Sequence, residues 1–66
     1  MDYSYVIISE DMKNLVVSVG MDYALKTKPI EKAHPKFFVG EWRAQGALDR
    51  APNKEGFIVK VVKPQI

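Results

Sequence analysis

Residues 3–9, Tyr3-Ser4-Tyr5-Val6-Ile7-Ile8-Ser9, are dense in the β-branched and aromatic side chains that suit a pleated surface. Glu10-Asp11-Met12-Lys13-Asn14 follows, polar and rich in turn formers. Then comes a second apolar run, Leu15-Val16-Val17-Ser18-Val19-Gly20. Two such runs joined by a short polar link predict an antiparallel hairpin. Alternation assigns the faces. Leu15, Val17 and Val19 share one side of the second strand, and this is the cleaner core face. The first strand has apolar residues on both sides, with Tyr3, Tyr5 and Ile7 on one and Val6 and Ile8 on the other. Such a strand is central, or its second face is covered.

A third strand is predicted over Phe57-Ile58-Val59-Lys60-Val61-Val62-Lys63, ending at Pro64, which has no N–H for a ladder. It follows a loop, Pro52-Asn53-Lys54-Glu55-Gly56. The middle of the chain reads less simply. Asp22-Tyr23-Ala24-Leu25-Lys26 has the form of a short helix with Asp22 as its N-cap and Pro29 as its stop. From Phe37 to Leu48 the apolar spacings fit a helix that Pro35 would open. Helix is expected over 41–50, and 36–40 stays open between helix and strand. The fold class expected is therefore α+β: a small, mainly antiparallel sheet of three or more strands with one or two short helices on one face, in the order β-β-α-β.

Size changes what this pattern must do. The 66 residues form a single domain, residues 1–66. A chain of this length buries only ~60% of the surface it exposes when unfolded, so good packing or a partner must support it. There is no cysteine, which excludes disulfides and thiolate metal sites, and the only histidine is His34. No apolar run approaches the ~20 residues of a membrane span. The opening Met1-Asp2-Tyr3-Ser4-Tyr5 places an acid where a secretion signal needs bases, so a cytoplasmic location is expected. The net charge of +2 is unevenly spread. Residues 1–22 carry Asp2, Glu10, Asp11 and Asp22 against Lys13, a net −3; residues 23–66 carry nine bases and four acids, a net +5.

Candidate chemistry is sparse. Nucleophilic catalysis needs a nucleophile and a base within hydrogen-bond reach, and an isolated His34 before Pro35 fits a surface or capping role instead. Glu10 and Asp11 could hold a cation, but acids in a turn are ordinarily there for solvation and local hydrogen bonds. The four glycines are scattered and make no phosphate-cradling loop. No catalytic residue, metal site or cofactor is expected. Of the seven aromatics, a core this small would claim Phe37 or Phe38, Trp42 and Phe57. The competing reading puts aromatic and basic side chains on a binding surface, with Tyr3, Tyr5, Trp42, Arg43 and Arg50 as the partner-binding residues.

Tyr5-Val6-Ile7 followed by Val17-Ser18-Val19-Gly20 resembles the start of the GIY-YIG nuclease domain. That resemblance implies a three-stranded antiparallel sheet flanked by helices. It would also imply phosphodiester cleavage by tyrosines, a helix arginine and a metal-binding glutamate. The likeness spans about 20 residues, and Ser18 stands where the second motif has Tyr. No arginine precedes Arg43; Lys26 and Lys28 occupy the nearest place. It therefore points to a fold without the activity.

The leading expectation is a small non-enzymatic binding protein that modulates or inhibits a larger protein partner through a sheet edge and an aromatic, basic surface. Many small phage-encoded regulators have this profile. The alternative is a nucleic-acid-binding domain using the basic residues of the C-terminal two thirds. A membrane partner is not expected. Free sheet edges on so short a chain make a homo-oligomer, a dimer first, a further expectation.

Overall fold

The computed structural model describes residues 4–62. Strand β1 (Ser4–Ser9) and strand β2 (Asn14–Val19) form the expected antiparallel hairpin. The link between them is built by Ser9, a buried polar residue. Its Oγ accepts the N–H groups of Lys13 and Asn14 at 3.2 and 3.0 Å and donates to Asp11. Asp11 also accepts the Lys13 N–H at 3.0 Å, and Met12 sits in the left-handed region at φ 63°.

β2 does not lead into a helix. Asp22 does cap, but it caps a turn: its Oδ1 accepts the Ala24 N–H at 3.1 Å. Gly20 N–H donates to Ala24 O, and Tyr23 takes φ 66°, a value that breaks any helix through it. The chain reverses there into β3 (Leu25–Pro29), antiparallel to β2. Local preference favoured a helix at Ala24-Leu25-Lys26, but tertiary pairing prevails, because β2 needs a second partner and Leu25 is buried as a strand residue. This strand also departs from the GIY-YIG pattern: Lys26 and Lys28, at the place of that family's helix arginine, lie exposed on β3.

Residues 30–37 cross the sheet without regular structure. Pro35 opens no helix here; the next residue, Lys36, donates its N–H to Val16 O at 3.0 Å. A two-residue strand, β4 (Phe38–Val39), precedes helix α1 (Glu41–Arg50), and β5 (Phe57–Val62) ends the described chain. The helix covers the residues expected of it. Among the described residues the element order is nevertheless β-β-β-β-α-β: β3 is a strand the pattern had not supplied, and β4 makes part of 36–40, open between helix and strand, a strand. The residues Lys63 and Pro64, expected to end the last strand, lie outside the described residues.

β1 organises the sheet. One of its edges pairs with β5 over all six residues, from Ser4↔Val62 to Ser9↔Phe57. The other edge is shared, with β2 at Ile8↔Leu15 and β4 at Ser4↔Val39 and Tyr5↔Phe38. Every pairing is antiparallel. Both faces of β1 are covered, as its two-sided apolar pattern implies. Ile7, Val16, Leu25 and Leu48 form the cluster beneath α1. Val6, Ile8 and Leu15 form a second cluster on the opposite face, with Ala33 of the crossing segment against it.

The face assigned to β2 needs correction. The β2–β3 register shifts between Val16 and Ser18, leaving Val17 as the extra residue of a bulge. The alternation therefore changes phase at Val17. Leu15 belongs to one cluster, whereas Val16 and Val19 both belong to the other. Val16, outside the expected core face, is fully buried.

Candidate binding surfaces

Helix α1 has Glu41 in its first turn and Arg50 in its last, signs that favour each end of the backbone dipole. Ala44 and Leu48 are its buried residues, and the small side chain at 44 lets the helix lie close to the sheet. A side chain at 42 then points away from that contact, since it is separated from 44 by about 200° around the axis. Trp42 is accordingly 73% exposed, which overturns its expected core role. Phe38 and Phe57 are half-buried against the cluster beneath the helix, while Phe37 is exposed.

The flanks of α1 carry different surfaces. On one flank a groove of about 740 Å³ lies between the helix and β5. Glu41, Gln45 and Leu48 form its helical wall, and Tyr5, Val59 and Val61 supply strand residues. On the other flank a cleft of about 410 Å³ is lined by Phe38, Trp42, Arg43, Gly46, Ala47 and Arg50. The Arg43 guanidinium stands 5.0 Å from the centroid of the Trp42 ring, and Lys36 Nζ 5.6 Å from that of Phe38. Both are cation–π distances. The indole edge rests against Gly40, the N-cap residue, at φ 92°. A Cβ at Gly40 would stand 3.1 Å from Trp42 Nε1.

The five residues expected to bind together are thus divided. Trp42, Arg43 and Arg50 meet at the cleft. Tyr5 is half-buried at the groove, on the other flank, and Tyr3 lies outside the described residues. Phe38 also lines the cleft, with Lys36 over its ring, and neither was among the expected site residues. Their aromatic–basic proximity was visible in Lys36-Phe37-Phe38, but which ring would face the helix was not.

Beside the groove lies an open sheet edge. Among the described residues β5 pairs only with β1. Glu10 N–H donates to Gly56 O at 2.8 Å, one step beyond the Ser9↔Phe57 pair. Bonded and non-bonded pairs alternate along an antiparallel ladder. Ile58, Lys60 and Val62 therefore exchange hydrogen bonds with β1, and Phe57, Val59 and Val61 turn their N–H and C=O outward. The Phe57 N–H fits this phase, since it donates to Lys54 O at 3.2 Å. The outer edge of β3 is differently made: Lys26, Lys28 and Pro29 crowd its five residues, a composition that discourages strand addition.

Among the described residues Glu41 is the only acid that lines either surface. Asp49 accepts from Gln45 Nε2 at 2.9 Å, and His34 is exposed on the crossing segment. The Ser9 hydroxyl and the Lys13 N–H hold the Asp11 carboxyl below the ordinary aspartate value of 3.8. Among the described residues no three His, Asp or Glu side chains group as metal ligands, and no helix is long and apolar enough to cross a membrane. No family model, curated protein or solved structure matches this chain.

Proposed function

We propose that this chain is a non-enzymatic binding protein that modulates a larger protein partner by accepting one of its strands along β5. The observation that carries the reading is the outward phase of Val59 and Val61 beside an apolar groove. Strand addition gains affinity from main-chain hydrogen bonds and specificity from pockets for alternate side chains. The edge offers the first and the groove the second. Val61, 50% exposed, and half-buried Tyr5 would be covered by the added strand's inward side chains. Glu41 and Gln45 at the helical rim would select polar side chains entering from that strand. Occupying a partner's edge or linear segment in this way is a direct route to inhibition.

The test is a pull-down with the wild type and Val61→Pro in parallel. Proline at 61 removes an outward N–H and leaves the hydrogen bonds to β1 in place. A partner recovered by the wild type should be lost with the variant, and should slow amide exchange at Val59 and Val61. Equal recovery by both proteins, or none above background by the wild type, would reject the reading.

A further inference from the structure

We infer that the cleft on the far flank of α1 is a stacking slot for a base of single-stranded nucleic acid. The inference is independent of the β5 edge. Trp42, Gly46 and Arg50 follow one another at four-residue spacing along the helix, a stripe of about 12 Å from end to end. The indole stands at one end and the guanidinium at the other. Between them Gly46 is a poor residue for a helix interior. Packing does not require it, because a Cβ there would meet nothing within 4 Å. What glycine does at 46 is leave the floor of the cleft bare, so that a flat ring can reach the indole.

The surrounding chemistry matches a nucleotide. The indole and the Phe38 ring give apolar walls, Arg43 and Arg50 bring two cations to the same cleft, and Lys36 stands over the Phe38 ring. Stacking with phosphate neutralisation is the combination used for single strands. An acidic peptide would satisfy the cations but leave the indole without a flat partner. A duplex would meet the cations with its base faces hidden. The +5 balance of residues 23–66 favours an anionic occupant over the whole of this region.

Trp42 is the only tryptophan, so its emission reports the slot directly. Titration with a short oligothymidylate at low salt should quench it, with anisotropy of a labelled strand as a second readout. Phosphate contacts by Arg43 and Arg50 imply that a tenfold rise in salt weakens binding by roughly 25-fold. An abasic strand of equal length should bind about tenfold more weakly or worse. Arg50→Gln should reduce both affinity and the salt slope. The decisive variant is Gly46→Ala, which should raise the melting temperature while weakening oligonucleotide binding. A residue with only a structural role would not move the two in opposite directions. Absence of binding at low salt, equal binding of the abasic strand or of polyglutamate, or unchanged affinity in Gly46→Ala would each overturn the inference. Binding of polyglutamate alone would reassign the face to a protein partner.

Discussion

Gly40 carries two constraints at once. Its backbone, at φ 92° and ψ 137°, lies in a region essentially reserved for glycine, where other residues cost about 1–3 kcal/mol. Its missing Cβ also leaves room for the Trp42 indole. Gly40→Ala should therefore destabilise the fold by about 1–3 kcal/mol in urea titrations, and shift the tryptophan emission of the folded state as the indole gives way. An unchanged emission would mean that Gly40 does not position the ring. The hairpin link makes a second residue-scale prediction. Asp11 titrates lower in the folded chain than in the unfolded one, because the Ser9 hydroxyl and the Lys13 N–H favour its charged form. Its contribution to stability is complete above its unfolded value and is lost as pH falls through the lower folded value. Asp11→Asn should narrow its stability gap from the wild type as the buffer is taken from neutral pH into that acid range. A gap independent of pH would show that the carboxylate's charge contributes nothing.

Among the elements, the clearest periodic signals located β1, β2, β5 and α1 because each follows from short-range chemistry. The β3 strand was hidden for a physical reason. Ala24-Leu25-Lys26 after an aspartate looks locally like a helix start, and the pairing with β2 that decides otherwise is tertiary. The side-chain contact that secures β3 is equally remote. Asn53, 28 residues further on, accepts the Leu25 N–H on Oδ1 at 2.9 Å and donates from Nδ2 to Leu25 O at 3.1 Å. One amide thereby imitates a strand partner for the first residue of β3. In the sequence Asn53 reads only as a loop residue, and nothing nearby in the chain points to Leu25. The Val17 bulge was illegible for a similar reason: alternation gives the faces of a regular strand but not the place where the register slips. The same limit applies to the site. Trp42-Arg43 and Arg50 were recognisable as an aromatic and basic set, while their separation from Tyr5 depends on how α1 is laid over the sheet. Asn53→Asp keeps the acceptor but loses the donor and sets a carboxylate against Leu25 O. It should destabilise by about 1–3 kcal/mol, more than Asp49→Asn on the exposed face of α1. Equal effects would show that the Asn53 link is not a support of β3.

The whole molecule must hold its sheet together from 66 residues, and among the described residues the two longer outer strands, β3 and β5, are not equivalent. β3 is defended by lysines and a proline, whereas β5 has one lysine in six residues. A second copy of the chain is a ready partner for the less defended edge, because a two-fold axis makes an antiparallel strand self-complementary. The outward phase of Val59 and Val61 restricts the register. An axis at Lys60 would bring two lysines face to face, an unfavourable cross-strand pair. An axis at Val59 sets Lys60 opposite Ile58 of the second copy and Phe57 opposite Val61, and so keeps the charges apart. Self-association at β5 would link stability to concentration, since a partner that binds only the folded chain stabilises it by mass action. The wild type should sediment above the mass of one chain at micromolar concentration, and its melting temperature should rise with concentration. Val61→Pro should sediment as one chain, with a melting temperature independent of concentration. A strand-donating partner competes for the same groups, so adding it should convert the self-associated wild type to a one-to-one complex. If the wild type sediments as a single chain throughout the micromolar range, β5 is an edge kept open for another protein and not for itself.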